Sequence, residues 1–345
     1  MDPLTHIFLG AATGLAVCGK RLGPRAAAIG ALAAFAPDAD VFIRSEHDPL
    51  VYVEFHRHFT HSFAFTPVGA LLIAALWFAW RRHRPDWRAL WFCATLGWLS
   101  HCLLDAATSW GTRLFWPFSD HRAGWDLIAI VDPTFTLILA LGVVLALVRK
   151  QWRLANVSLL VCAGYLCLGG IQHQRALAVQ VQVASERGHQ IARREMMPTW
   201  ANLLVWRSLY EHAGQIHSDR IRVGIFSAPT VRHGATMPRL VEGQLLVEER
   251  AADGKLPSFA RFVHFSDGWV ARSPSEPVLI GDARYSLEAE AFEPIWGIRY
   301  REVSAVMPVE WVSRTRKRRL GLDELWREIS GRHPAYRLLG AGRGD

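Results

Sequence analysis

At 345 residues, 51% hydrophobic and 20% charged, the chain is too apolar for a disordered segment and long enough for two domains. Its net charge of +8 sits largely in short loops between apolar runs and in the C-terminal tail. Membrane topology produces that distribution, so no nucleic acid partner is expected. Cys18, Cys93, Cys102, Cys162 and Cys167 show no CxxC spacing, which excludes a zinc knuckle and implies no disulfide framework.

The opening MDPLTHIFLG carries an acid where a cleavable signal needs positive charge, so none is expected. Two Ala/Gly-rich segments follow, 6–18 and 25–35, too short to span comfortably and rich in small residues that permit close helix contact. Residues 63–80, 89–107, 133–148 and 154–171 then reach or approach membrane length. The basic loops are Lys20, Arg21 and Arg25; Arg81, Arg82, Arg84 and Arg88; and Arg149, Lys150 and Arg153. Placing all three inside puts segments 36–62 and 108–132, the amino terminus and everything after residue 172 on the outer face.

Beyond that point the pattern changes. Residues 173–198 read as a polar connector, helical over 173–195. Over 199–313, LLVWRSLY, IRVGIFS, RFVHFSDGWVAR, VLIGDARYSL and IWGIRYREV alternate between apolar and polar, punctuated by Gly, Asp-Gly and Pro. Residues 314–345 form a basic tail with one amphipathic helix. The expected fold is an α-helical integral membrane domain over 1–172, with about four long spans and two short N-terminal helices. A small β-rich extracytoplasmic domain follows it.

The chemistry lies in His and Asp residues that border or interrupt the apolar runs. They are His6 in DPLTH, Asp38 and Asp40 in PDAD, His56, His58 and His61 in HRHFTHS, His101 and Asp105 in HCLLD, Asp126, and Asp132 in IVDP. A carboxylate at the edge of a membrane helix is costly, which makes each a functional candidate. His101 and Asp105 stand at i and i+4, on one helix face, so both reach one ion. Pro-Asp-x-Asp is also ordinary turn chemistry, and a His–Asp pair can be a buried hydrogen bond. The convergence of four segments on one end of the bundle favours a metal site. Nitrogen and carboxylate donors without cysteine suit zinc, manganese or iron. Asp40 or His56 is the expected general base, while Arg57 and Arg122 suit an anionic substrate. Trp110, Trp116 and Trp125 read as an interfacial aromatic belt, with the lining of an apolar substrate groove as the alternative.

In order, DPLTH, PDAD, HRHFTHS, HCLLDAATSWG, PFSDHR and IVDP resemble the YdjM-like family of inner-membrane metal-dependent hydrolases, over about residues 1–175. Pro198, Asn202, Trp206 with Arg207, FARF at 259–262 and DARY at 282–285 are similar to the family's longer members. The order His, Asp, His, HxxxD is more distantly similar to the helical zinc-dependent phospholipases C. That likeness implies His6, Asp38, His61, His101 and Asp105 as metal ligands, with Asp105 bridging ions. The sequence lacks the phospholipases' downstream His-plus-Glu pair and has Met1 where they have a tryptophan ligand, which points to one or two ions. The implied activity is metal-dependent hydrolysis in the bacterial inner membrane, with zinc the first choice of ion. The expected substrate is an anionic phosphoester in a lipid or lipid-linked molecule, reached from the bilayer. The competing class is a carrier or scaffold whose His/Asp cluster binds an ion without catalysis.

Overall fold

The computed structural model describes residues 1–80, 86–253, 257–286, 288, 290–301, 309–315 and 321–339. Arg81, Arg82 and Arg84 of the second basic loop, and parts of the basic tail, lie outside the described residues. Contacts divide the chain into two compact units. Met1–Ile43, Phe55–Ile171 and Trp200–Leu203 make the first; Arg44–Glu54, Gln172–Thr199 and Leu204–Asp345 make the second.

The first unit is helical. Its elements are α1 (Pro3–Leu22) and α2 (Arg25–Phe35), then, beyond the short α3 (Val51–Phe55), α4 (Thr66–Trp80), α5 (Trp87–Ala106), α6 (Pro133–Arg149) and the start of α7 (Arg153–Glu186). Helix α1 is longer than the 6–18 read from hydropathy. The Asp2 side chain accepts from the Thr5 amide, Pro3 takes the first helical position, and Gly23 closes the far end at φ +61. These caps extend the helix past its apolar stripe.

Small residues bring α1, α2 and α5 together. A Cβ on Gly10 would stand 2.2 Å from the Gly30 carbonyl oxygen, and one on Gly97 2.7 Å from that same oxygen. Only hydrogen fits at either place, so the backbones meet directly.

Among the described residues, α5 and α7 are long and apolar enough to cross a membrane. The helical stretch Val51–His61 with Thr66–Trp80, bent by 81°, makes a third if taken as one span, and α6 is shorter. The apolar window of α5 is 61% buried and that of α7 22%, so α5 is the central helix and α7 presents most of its surface outward.

The second unit is β-rich. One antiparallel sheet has the order β1 (Arg193–Pro198), β2 (Val205–His212), β3 (Gln215–Arg222), β4 (Thr230–Pro238) and β9 (Arg337–Leu338). The other runs β5 (Val270–Arg272), β6 (Leu279–Asp282), β7 (Trp296–Tyr300) and β8 (Val309–Ser313). Helices α8 (Val247–Asp253) and α9 (Ser258–Phe265) lie between β4 and β5, and α10 (Leu322–Ser330) precedes β9. The β2–β3 hairpin turns at Ala213 and Gly214, both at positive φ, as a two-residue hairpin loop requires.

Two details differ from the sequence reading. Strand β1 falls inside the expected connector 173–198, whose first part is the helix expected there, as the end of α7. RFVHF, expected as strand, belongs to α9: Phe259, Phe262 and Phe265 recur at helical spacing and are buried together. The Asp253 carboxylate accepts from the Ser258 and Phe259 amides at the helix start.

Candidate metal centre

The glycine seam decides where the centre forms. One turn beyond Gly97 on α5 is His101, and one turn beyond Gly30 on α2 is Ala34. His101 Nδ1 donates to the Ala34 carbonyl at 2.6 Å. One turn before Gly10 on α1 is His6, whose ring stacks on His101 with centroids 3.7 Å apart. A 3₁₀ turn, Ala36–Phe42, continues α2 directly and carries Asp38 and Asp40 to this end. The third contribution is the segment after α3. Its chain reverses at Arg57, a non-glycine residue at φ 62, whose amide donates to Asp40 Oδ2 at 2.9 Å. It then enters the 3₁₀ turn Phe59–His61, pinned by Trp98 Nε1 donating to the Thr60 carbonyl at 2.8 Å.

His61 and His101 meet Nε2 to Nε2 at 2.8 Å. Their other nitrogens set the tautomers. His101 Nδ1 is committed to a carbonyl, and His61 Nδ1 lies 3.2 Å from the Asp40 carboxylate, which only accepts. As neutral imidazoles, both then present Nε2 lone pairs to each other. Asp105 Oδ2 stands 3.2 and 3.4 Å from them, and Asp38 Oδ1 3.6 Å from each. Asp105 Oδ2 is buried, with the Arg57 Nε 3.0 Å away. Two lone pairs and two carboxylate oxygens converging on one point make an arrangement that a divalent cation relieves. The donor atoms of Asp38, His61, His101 and Asp105 all lie within 4.8 Å of one another, and the same holds for Asp38, Asp40 and His56. The residue common to both groups is Asp38, where the phospholipase likeness implied Asp105 as the bridge.

His6 lies beside the four-residue group, with its Nε2 3.1 Å from the other Asp105 oxygen. The buried amine of Met1 contacts that oxygen too. Asp40 is held from three sides. His56 Nδ1 donates to Oδ1 at 2.8 Å, and Thr60 Oγ1 and the Arg57 amide donate to Oδ2. Burial pushes its pKa up, but the hydrogen bonds from His56 and His61 outweigh it and hold the carboxyl well below the usual range.

Arg57, expected to face substrate, is buried and turned inward. Its Nε lies 3.0 Å from Asp105 Oδ2, and its Nη1 donates to the Asp105 carbonyl and to Thr108 Oγ1. It holds Asp105 in place. Arg122 donates to the Trp110 carbonyl at 2.6 Å, and Trp110 stands edge-on to His56 at 6.0 Å. Asp132 caps α6 and accepts from the Tyr165 hydroxyl. His58 packs between Phe59 and Trp116, and Asp126 is a buried residue at positive φ. Thr60, Thr108 and the Ala34 carbonyl escaped the sequence reading. Thr60 carried a signal, being the Thr of the FTHS run, but the other two depend on tertiary contact alone.

A sequence profile described as the YdjM inner membrane protein matches residues 1–176. The chain is 34% identical over 134 residues to inner membrane protein YbcI of Escherichia coli, covering 37% of this chain and 75% of that protein. It is 30% identical over 140 residues to protein YfhP of Bacillus subtilis, covering 39% of this chain and 42% of that one. No solved structure matches. The profile covers half of the chain, the half that holds the His/Asp cluster, and the chain belongs to the YdjM family of inner membrane proteins.

Proposed function

We propose that this chain is a membrane-bound, metal-dependent hydrolase acting on a phosphoester in a lipid or lipid-linked substrate. The observation that carries the reading is the pair of histidine Nε2 atoms facing each other at 2.8 Å, flanked by Asp105 and Asp38. Asp38, His61, His101 and Asp105 would hold a first ion; Asp38, Asp40 and His56 have the donors for a second. The donor set suits zinc. Bound there, such an ion supplies Lewis acidity and makes water a nucleophile near neutral pH.

The chain's own groups divide the remaining work. Thr60, His56 and the Arg57 amide fix Asp40 as a deprotonated acceptor, ready to take a proton through His56. Arg57 offsets the charge of Asp105 and aligns its carboxylate. Asp38 and His56 are the partly exposed members, with side chains 17% and 15% accessible, so substrate approaches on their side. Arg122, one residue layer out at Trp110, is the cation for the substrate's phosphate.

In this reading four spans cross the bilayer, counting α6 and the bent pair, and the basic loops face the cytoplasm. The metal centre and the domain over 199–313 face outward. Metal analysis of detergent-purified protein, followed by a screen of phosphoester and carboxyl-ester substrates, tests the chemistry. Stoichiometric zinc and phosphoester turnover are expected; metal-free protein sinks the reading, and metal without turnover of any ester replaces it with an ion carrier. Reporters near Pro85 and after Gly342 test topology, with activity expected inside for the first and outside for the second.

A further inference from the structure

The segment joining the two ligand-bearing turns, Arg44–Glu54, belongs to the second unit. Arg261 of α9, in the FARF run, holds it there. Arg261 Nε donates to Glu54 Oε1 at 2.5 Å and Nη2 donates to Oε2 at 2.9 Å, and Nη2 also lies 2.8 Å from Asp48 Oδ2. A two-point fork on one carboxylate plus a second acid fixes direction as well as distance. The three side chains are 17%, 34% and 21% exposed, well short of the full hydration that makes most surface pairs weak.

Both ends of this clamp are rigid. On one side, Phe262 and Phe265 of α9 pack edge-on against Trp311, with ring centroids 6.2 and 6.0 Å away. On the other, Asp48 initiates α3: its Oδ1 accepts from the Leu50 amide at 3.0 Å and its carbonyl from Val51. Leu50 and Val53 are buried, and Glu54 lies on the last turn of α3. Two residues later comes His56, and then Arg57 with its left-handed backbone. The clamp is therefore the last fixed point before the chain enters the metal centre.

We infer that Arg261 is a positioning residue for the metal centre, setting through Glu54 and Asp48 how His56 and Arg57 leave α3 to meet Asp40 and Asp105. This rests on the reading of the His/Asp cluster as a metal site.

The test is a competitive zinc titration of the full-length protein in detergent. Arg261→Ala should weaken zinc binding by about tenfold to a hundredfold, the range for loss of an outer-shell support. Arg261→Lys should recover part, and Glu54→Gln, which keeps the side-chain shape, should weaken binding in parallel with it. Combining Arg261→Ala with Glu54→Gln should cost little more than Arg261→Ala alone, since both remove one interaction. Arg187→Ala breaks a comparable ion pair with Asp219 in the same unit, away from Arg44–Glu54, and should leave zinc affinity unchanged. Wild-type affinity in Arg261→Ala, or equal weakening by Arg187→Ala, overturns the inference while the metal centre stands. Wild-type protein that binds no zinc overturns the metal reading itself.

Discussion

Asp105 in the helical unit and Arg284 in the C-terminal unit are both buried charges, and their surroundings differ in kind. Arg284 is paid in full: Nε and Nη2 reach both oxygens of Asp282 at 2.9 to 3.2 Å, Nη2 also donates to the Phe265 carbonyl, and Nη1 meets Asp267. Around Asp105 the pairing is spread over several groups. The Arg57 guanidinium and the Met1 amine meet Asp105, Asp40 receives only the Arg57 backbone amide and neutral donors among its described contacts, and two imidazoles stand Nε2 to Nε2 between the carboxylates. The first arrangement is complete as protein and stabilises a fold. The second has the donors to hold an added cation, so the same residue types complete a fold in one unit and offer a metal site in the other.

The largest expected effects follow from that contrast. His101→Ala or Asp105→Ala should sharply reduce metal content in purified protein, because each removes a donor of the four-residue group. Arg284→Ala should leave metal content at the wild-type level while destabilising the C-terminal unit by about 3–5 kcal/mol, the cost of orphaning a buried partner charge. Metal analysis and thermal melts on the same preparations check both. Metal retained by both ligand variants would remove the pair from the centre, and metal lost in Arg284→Ala would erase the distinction drawn between the units.

A second break targets the seam. Gly30→Leu places a Cβ 2.1 Å from the Gly10 carbonyl oxygen, a backbone atom that cannot step aside. The variant should cost about 3 kcal/mol, toward the upper end for overpacking, and lower metal content with it. Gly164→Leu on α7, where a new Cβ meets nothing within 4 Å, should change neither. Equal behaviour of the two variants would show that close approach of α1, α2 and α5 does not build the centre.

That seam also shows what was legible beforehand. The Gly/Ala composition of the first two segments announces close packing, and the i, i+4 spacing announces that His101 and Asp105 share a face. Residue type and period were enough for both. The length of α1 was less legible, because Asp2 and Gly23 set its ends by capping rather than by hydropathy. The inward turn of Arg57 was not legible at all. It depends on a left-handed backbone whose amide answers Asp40, and nothing local in HRHFTHS encodes that. Helix α9 was misread because Phe and Val suit strands as well as buried helix faces, and its capping residue Asp253 lies five positions before the first helical residue.

Arg57 offers a smaller, sharper test. Because its guanidinium supports Asp105 from behind, Arg57→Ala should weaken metal affinity by about tenfold to a hundredfold rather than spare it. Lys should recover only part, since a point charge cannot serve the Asp105 carboxylate, the Asp105 carbonyl and Thr108 together. Arg122→Ala should leave affinity unchanged and reduce turnover. Zinc titration beside substrate turnover separates the two arginines, and unchanged affinity in Arg57→Ala would return that residue to the substrate side.

The least effect is expected in the C-terminal unit, where histidines gather without carboxylate donors. His189 follows α7, His212 ends β2 and His217 lies on β3; His189 stands 4.3 and 4.5 Å from the other two rings. His217 also stacks on Tyr210 at 4.9 Å, and Thr236 of β4 shares a hydrogen bond with its Nδ1. Burial, then the positive character of His189 and Arg187, depress its pKa from 6.5 to about 4, and Asp219 opposes this only weakly. The sign follows from linkage. Between about pH 6.5 and 4 the unfolded chain binds a proton at this position that the folded unit does not, so stability falls as pH falls through that window. His217→Gln keeps a hydrogen-bonding side chain toward Thr236 but cannot titrate, so it should flatten the slope of melting temperature against pH across the window while leaving metal content untouched. Melts of wild type and variant at pH 7 and pH 5 decide it. An unchanged slope would assign the acid sensitivity to other groups, and a change in metal content would mean that the substitution acts beyond this histidine cluster.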